Sequence, residues 1–320
     1  MNSETQSSKT ASGTRNVVSV IGVVALIVAA WFFKTASTVT TFSDKHRNLV
    51  TIADGWADEA SCIDCHEQAE EFALTCHAKT LRSASHPDSL KLLRALADSE
   101  TAKAEGTFID TDSAKPRAVN RTEGFQRELL LEWCFGSGTH ACTWVSTIPD
   151  SHGDTDVLEF RHTWFASLQG VGITPGQPDK RGESAVSAMG LLFDAPKARR
   201  CFSCHATRVP LSHGRIHDSE IHAGVTCQRC HGPRGQHVES EGAVHPSGWV
   251  IGDRDDSVRR CAVCHRLTEE HSPEKIVAGN LDIVRFQPVG LTKSACFLNS
   301  EMSCTTCHDP HLPMSRQDSG

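Results

Sequence analysis

Hydrophobic residues are spread unevenly along the chain, and the first concentration lies near the N-terminus. Residues Val17 to Phe33 form an uncharged, mostly apolar run, VVSVIGVVALIVAAWFF, which ends in three aromatic side chains. This length is the lower limit for a membrane-spanning helix and exceeds the usual apolar core of a signal peptide. Because Lys34 stands where a cleavage site would need a small residue, we predict an uncleaved signal anchor, with a cleaved signal peptide as the alternative.

The middle of the chain carries the periodic patterns of regular secondary structure. Ser89 to Lys103 has helical propensity, with leucines at helical spacing. Three segments rich in Trp, Phe, Val, Leu and Thr are separated by Gly-, Ser- and Asp-rich breaks, which is typical of strands. They are Arg127 to Phe135, Ala141 to Ile148 and Val157 to Leu168. We therefore predict a small antiparallel β insertion around residues 127–168.

Beyond residue 200 the long periodic runs disappear, and a repeated pentapeptide, Cys-x-x-Cys-His, takes their place. One copy stands alone near residue 62, and the other four lie within residues 201–308. The motif attaches a c-type haem: each cysteine forms a thioether to a vinyl group, and the histidine ligates the iron. The cysteines are Cys62, Cys65, Cys201, Cys204, Cys227, Cys230, Cys261, Cys264, Cys304 and Cys307, and the histidines are His66, His205, His231, His265 and His308.

Zinc binding is the main alternative explanation of these motifs. Structural zinc needs four ligands, usually from two paired Cys-x-x-Cys units, and pairing five units leaves one over. Zinc also does not require a histidine directly after the second cysteine, yet all five copies have one. We therefore predict five covalently bound haem c groups.

The density of motifs also predicts the fold. A segment that carries four haems within residues 201–308 is too short to bury four apolar cores of its own. The porphyrins must then form the core, with short helices and ordered loops around them. We expect a mainly α fold with much irregular loop, a multihaem cytochrome c fold organised around stacked haems.

Each haem iron needs a second axial ligand if it is to be six-coordinate. The chain has 18 histidines, and five of them belong to the motifs, while methionine is scarce, so bis-histidine ligation is expected. Local spacing makes four histidines the preferred distal ligands: His77, His140, His237 and His311. The fifth position stays open among His213, His217, His222, His245 and His271, and weaker candidates are His46, His86, His152 and His162.

Several strings resemble a known family. CHGPRGQH, KSACFLNSEMSCTTCHDPH and CIDCHEQAEEFALTCHAKTL resemble multihaem cytochromes of the cytochrome c-554 family, in particular membrane-anchored, planctomycete-type members. The segment GSGTH followed by ITPG adds to the likeness, which covers roughly residues 60–313. The resemblance supports distal-ligand roles for His77, His140, His237 and His311, and it implies electron transfer, with catalytic open haems in some members.

Four cysteines lie outside the motifs: Cys76, Cys134, Cys142 and Cys296. In an oxidising compartment they could form up to two disulfides, with Cys134 and Cys142 as a plausible pair across the hairpin. The alternative is four small buried side chains, and the sequence does not decide between them.

These predictions combine into an organisation and a location. Residues 1–16 would be a cytoplasmic tail, 17–33 a transmembrane anchor, and 34–320 an exported pentahaem domain, since c-type haem is normally attached outside the cytoplasmic membrane. The protein would be single-pass in the inner membrane, with its haems on the periplasmic side. A net charge of −7 argues against a nucleic-acid partner, so we expect other redox proteins or a membrane quinol-linked complex. Oligomeric state stays open.

Function divides into two main alternatives. An electron carrier would pass electrons along its packed haems, alone or as a subunit of a larger respiratory complex. An enzyme would reduce or oxidise a small nitrogen or sulfur compound at a five-coordinate haem. Pentahaem nitrite reductases generally use Cys-x-x-Cys-Lys and a tyrosine, and hydroxylamine oxidoreductases use a tyrosine crosslink. The chain has no tyrosine and no such lysine motif, so we favour the carrier.

Overall fold

A six-stranded antiparallel sheet organises the part of the chain between the first and second haem motifs. The computed structural model describes residues 55–122, 125–212, 215–245, 253–277, 279–280, 283 and 286–316. The strands are β1 Leu81–Ser83, β2 Thr107–Asp110, β3 Arg117–Thr122, β4 Phe125–Leu130, β5 Trp133–Phe135, β6 Ala141–Pro149, β7 Thr155–Phe165, β8 Gly170–Ile173, β9 Gly190–Phe193, β10 Ala206–Arg208, β11 Leu211–Ser212, β12 Arg215–Ile216 and β13 His222–Ala223.

The large sheet has the order β1-β5-β6-β7-β8, and β9 pairs with β7 beside β8. A second sheet has the order β2-β3-β4, and β10-β13 and β11-β12 form two-stranded ribbons. All strand pairs within these sheets are antiparallel. Each connection can therefore be short, which suits a chain that returns repeatedly to one sheet.

Helices in the described residues are short, and most of them contain a haem motif or lie close to one in the chain. The α-helices are Ala60–Ile63, Gln68–Phe72, Pro87–Ala97, Glu100–Ala104, Ala185–Met189, Ala195–His205, Cys227–His231, Gly235–Glu239, Arg254–His265, Gln287–Leu291, Ala295–Leu298 and Cys304–Cys307. The 3-10 turns are Asp218–Glu220, Thr268–Glu270, Pro273–Lys275 and Met314–Arg316.

The prediction of a mainly α fold with one small β insertion is wrong. Strands run from β1 to β13, far beyond residues 127–168, and they include β2 to β4, which form a separate sheet. Sequences such as RAVNRT in β3 have no hydrophobic run to mark them. Their stability comes from pairing with neighbouring strands, which a local pattern does not reveal.

Two predicted elements prove to be split. The segment Arg127 to Phe135 supplies β4 to the three-stranded sheet and β5 to the six-stranded sheet. The helix predicted over Ser89 to Lys103 is two helices, Pro87–Ala97 and Glu100–Ala104. Ser99 separates them, because its side chain accepts a hydrogen bond from the Thr101 amide at 3.2 Å and thereby caps the second helix.

Two hydrophobic clusters bury the faces of the large sheet. One cluster packs Leu93 and Leu96 of the helix Pro87–Ala97 against Trp144 and Phe160. The other packs Phe202 of the helix Ala195–His205 against the sheet, in company with Leu81, Val145 and Val157. Because Phe202 lies between Cys201 and Cys204, the second cluster fixes the second haem motif directly to the sheet.

The structure does not support the predicted single-pass membrane localisation. Among the described residues, no helix is long and apolar enough to cross a membrane, which contradicts the predicted single-pass localisation. Arg254–His265, with 12 residues, is far shorter than the roughly 20 that a bilayer requires. The predicted span Val17 to Phe33 itself lies outside the described residues. Residues Arg47–Gly320 form one compact unit, and the proposed domain boundaries stay a prediction.

A buried ion pair links the six-stranded sheet to the turn that precedes β2. Arg161 of β7 is fully buried and binds both carboxylate oxygens of Glu105, at 2.7 and 3.1 Å. The guanidinium also donates to the carbonyls of Pro178 and Asp179. Burial raises the pKa of Glu105, but the hydrogen bond from Arg161 and the nearby cationic groups outweigh it and lower the pKa overall.

Replacing Glu105 by Gln should destabilise the protein by about 3–5 kcal/mol, because it leaves the buried Arg161 charge uncompensated. The matched control is Glu100→Gln, which breaks the exposed pair with Lys103 and should cost less than about 1 kcal/mol. Urea unfolding of the full protein, followed by far-UV circular dichroism, measures both. If both variants lowered the unfolding free energy by the same amount, the buried ion pair of Glu105 with Arg161 would not be the source of the effect.

The ion pair of Glu105 with Arg161 should make the stability of the protein depend on pH. Because the folded pKa of Glu105 is lowered, its contribution is present above the unfolded pKa of about 4.3 and is lost as the pH falls through the folded value. The difference in unfolding free energy between wild type and Glu105→Gln should therefore shrink below about pH 4.3. A difference that stays constant into that range would exclude the carboxylate as its source.

Candidate haem-binding site

Each haem motif forms a single helical turn or ends a longer helix. The His66 amide donates to the Cys62 carbonyl at 2.9 Å, and the His308 amide donates to the Cys304 carbonyl at 3.1 Å. The second and fourth motifs are the C-terminal turns of Ala195–His205 and Arg254–His265. A helical turn places its first, fourth and fifth residues on one face, so both sulfurs and the imidazole of each motif can reach one porphyrin.

Three motif histidines face a histidine from a distant part of the chain. The ring centroids of His66 and His237 are 6.4 Å apart, with an angle of 20° between the planes. Those of His231 and His311 are 6.0 Å apart, at 19°. His265 and His77 form the third pair, at 6.3 Å and 75°.

These separations fit a metal ion between the rings. An imidazole nitrogen binds a metal at about 2 Å, and the ring centroid lies roughly 1 Å further back. Two imidazoles on opposite sides of one iron would therefore have centroids about 6 Å apart, close to the three observed values. Direct stacking of the rings would need a smaller separation. The residues of these three sites thus fit a haem with two axial histidines.

Predicted distal ligands differ in where the structure places them. His77, His237 and His311 each lie opposite a motif histidine. His140 is exposed near the β5–β6 hairpin, where its carbonyl accepts a hydrogen bond from the Ala166 amide at 2.8 Å. Within the described residues, the ring of His140 has no ring contact with a motif histidine. Its role as a ligand stays a prediction.

The second motif has a different environment. The ring of His205 packs against Phe135, with centroids 5.0 Å apart, and His205 Nδ1 lies 3.2 Å from the Thr80 carbonyl. Burial lowers the pKa of His205, which favours the neutral ring that binds metals. A hydrogen bond from Nδ1 to a carbonyl leaves Nε2 free for the iron and fixes the ring orientation. Sequence reasoning missed Phe135 and Thr80, since neither lies near a motif in the chain.

The remaining candidates for the open ligand position are scattered. His271 has a buried Nε2 atom without a hydrogen-bond partner, and its ring lies 5.0 Å from Phe286. His245 approaches His237 at 6.4 Å with a tilt of 43°. His222 lies in β13, His217 precedes a 3-10 turn, and His46 and His213 lie outside the described residues.

The weaker candidates for a distal ligand either have a structural role or have no role that the fold shows. His86 caps the helix Pro87–Ala97 by accepting a hydrogen bond from the Asp88 amide. His162 is fully buried beside Glu105. His152 lies in an exposed turn between β6 and β7.

Motif cysteines from different motifs lie side by side. In three pairs the thiols lie close enough to shift each other's pKa: Cys62 with Cys227, Cys204 with Cys264, and Cys261 with Cys304. The first motif is thus adjacent to the third, and the fourth is adjacent to both the second and the fifth. The nearby Cys264 thiol, with smaller effects from Ser203, Arg229 and Arg266, lowers the pKa of Cys204 to about 6.

Large apolar side chains stand exposed beside the motifs. Ile63 is 44% exposed, Leu74 is 54% exposed and Leu298 is 67% exposed. Burial of such groups is worth about 25 cal/mol for each Å² of surface, so a bound porphyrin edge would stabilise the chain by covering them. This exposure is consistent with a haem-lined core in the C-terminal part.

Cysteines outside the motifs fall into two classes. Cys134 and Cys142 are fully buried, and the nearby thiol of Cys142 together with burial raises the pKa of Cys134. Cys142 Sγ also lies 3.7 Å from Arg82 Nη2. Cys76 is partly exposed and Cys296 is exposed. The two cysteines of the pair predicted across the hairpin therefore lie close together as thiols.

Comparison with known proteins points to c-type cytochromes. Residues 177–232, which include the second and third motifs, match the family model described as cytochrome c554 and c-prime. This match supports a c-type cytochrome with covalently bound haem. The match does not test the more specific prediction that the chain resembles membrane-anchored, planctomycete-type members of this family.

Two further comparisons add little. No curated protein matches the chain. The solved structure of the outer cell wall cytochrome OcwA is similar over 66% of this chain and 37% of that one, at 14% identity and a TM-score of 0.41. The chain thus spans little more than a third of that cytochrome's length.

Replacing His237 by Ala should convert one haem from low to high spin, because the ring that faces His66 is removed. Covalent attachment should persist, since the cysteines are untouched. His152→Ala is the matched control, as His152 lies in an exposed turn. Low-temperature electron paramagnetic resonance of the oxidised protein measures the spin state. An unchanged low-spin signal in His237→Ala would exclude His237 as a ligand.

Proposed function

We propose that the protein is a pentahaem c-type cytochrome that transfers electrons between redox partners. The observation that carries this proposal is the set of three imidazole pairs. Each pair joins a motif histidine to a histidine far away in the chain, at a separation that fits one iron. An iron with two histidine ligands has no free position for a substrate, so it serves to accept and donate electrons.

The chain's own residues supply the attachment sites. Each motif offers two thiols for thioether bonds and one histidine for the iron, and five motifs imply five haems. When bound, the haem contributes an iron that changes by one electron between its ferric and ferrous states. The protein sets the potential through ligand type, burial and nearby charge. Bis-histidine ligation favours lower potentials than histidine–methionine ligation.

Motif packing supports transfer of electrons inside the molecule. Cysteines of the first and third, second and fourth, and fourth and fifth motifs lie near enough to influence each other's pKa. Because each cysteine holds a porphyrin edge, this proximity would bring the edges of neighbouring haems close together. Electrons could then pass between sites without leaving the protein. The partners would be other redox proteins or a quinol-linked complex.

An alternative function rests on the second motif. Among the described residues, the ring in contact with His205 is that of Phe135, and no imidazole faces it as in the three pairs. An iron held by His205 alone would have a free position. The protein would then be an oxidoreductase that acts on a small nitrogen or sulfur compound at this site.

The number of haems can be counted directly. The intact mass of the extracted protein should exceed that of the polypeptide by five haem units, since thioether bonds survive acid–acetone extraction. Cys204→Ala should lose one thioether and reduce the stability of the region that contains motifs two to five. Ser203→Ala, at the neighbouring position, is the control that should keep both. A mass near that of the bare chain would refute the proposal.

The rate at which small molecules reoxidise the haems distinguishes an electron carrier from an enzyme. The dithionite-reduced protein should be reoxidised rapidly by a soluble redox protein and slowly by nitrite or hydroxylamine, because an electron carrier is expected to have two axial ligands on each iron. Stopped-flow absorbance of the haems measures both rates. Rapid, saturable reoxidation by either small molecule, abolished when the site of His205 is blocked by cyanide, would favour the alternative.

A further inference from the structure

The segment before the first motif is bound to the third motif by a buried glutamine. Gln228 follows Cys227 and is 1% exposed. Its side-chain oxygen accepts a hydrogen bond from the Ala57 amide at 2.9 Å, and its side-chain nitrogen donates to the Ala57 carbonyl at 2.8 Å. The same oxygen accepts from the Arg234 amide at 3.1 Å. Gln228 therefore fixes the first motif against the third.

Glu59 is held at the junction of these two motifs. One carboxylate oxygen accepts hydrogen bonds from Thr226 Oγ1 at 2.5 Å and from Gln228 Nε2 at 3.0 Å. The other oxygen lies 4.0 Å from Cys62 Sγ. Ligand atoms of Glu59, Cys62 and Cys227 all lie within 4.8 Å of one another. The carboxylate is thus next to a sulfur of each motif.

This position gives the carboxylate an electrostatic effect on two haem sites at once. The two hydrogen-bond donors are neutral side chains, so they orient the negative charge without cancelling it. Partial burial weakens solvent screening of that charge. A negative charge stabilises a ferric haem, which carries one more positive charge than a ferrous haem. Reduction of a nearby haem is therefore made less favourable.

We propose that the Glu59 carboxylate is shared by the first and third haem sites, where its negative charge lowers the reduction potentials of both haems. Thr226 and Gln228 hold the carboxylate in place, and Gln228 also sets the distance between the motifs. This inference rests on the proposed function, because it requires haems at both motifs. The two sites would form a low-potential pair within the larger set.

The test is a redox titration of the full holo-protein, monitored by haem absorbance and electron paramagnetic resonance. Glu59→Gln removes the charge and keeps an oxygen that can accept from Thr226 and Gln228. Two midpoint potentials should rise, and the others should stay at their wild-type values. Glu59→Asp, which keeps the charge, should restore the low potentials at least in part.

The matched control is Glu100→Gln, which changes the net charge equally at a side chain that is 92% exposed. It should leave all potentials unchanged. If Glu59→Gln leaves them unchanged as well, or shifts all of them by the same amount, the proposal is refuted. A shift in Glu59→Ala without one in Glu59→Gln would show a packing role and would also refute it. Intact mass with all haems present separates these results from failure of the proposed function.

Discussion

Two imidazoles held about 6 Å apart, one from a haem motif and one from a distant segment, are the interaction on which the haem-binding part depends. His66 faces His237, His231 faces His311, and His265 faces His77. Each pair joins parts of the chain that share little secondary structure. An iron between the rings would replace the hydrophobic core that such a short segment lacks. The segments between His231 and His311 would then connect neighbouring haem irons.

The sheet has a complementary role as a rigid base for one of these centres. Phe202, inside the second motif, packs edge-on against Trp133 and Phe135 of β5, at 5.9 and 5.2 Å. Thr80, just before β1, orients the His205 ring through its carbonyl and donates its hydroxyl to the His205 carbonyl at 2.9 Å. The second motif is therefore positioned by apolar packing and backbone contacts, and the others by contacts among motifs.

Sequence reasoning succeeded where the chemistry is local. The motif needs only five consecutive residues, so haem attachment at each copy can be predicted from the sequence alone, and it stays a prediction. The spacing of His77, His237 and His311 pointed to residues that do lie opposite motif histidines. It failed where partners are distant. The polar strand β3 is defined by pairing, and the split at Ser99 depends on a cap within a helical pattern. Gln228 occupies a spacer position of a motif, where its buried hydrogen bonds leave no local signal.

The most direct test of this account is the location of iron in a crystal of the full holo-protein, from anomalous diffraction at the iron absorption edge. The account predicts an iron atom midway between the rings of each of the three histidine pairs, with the cysteines of the corresponding motif bonded to the same haem. Irons that lie elsewhere, or a metal bound by cysteines from two motifs together, would contradict it.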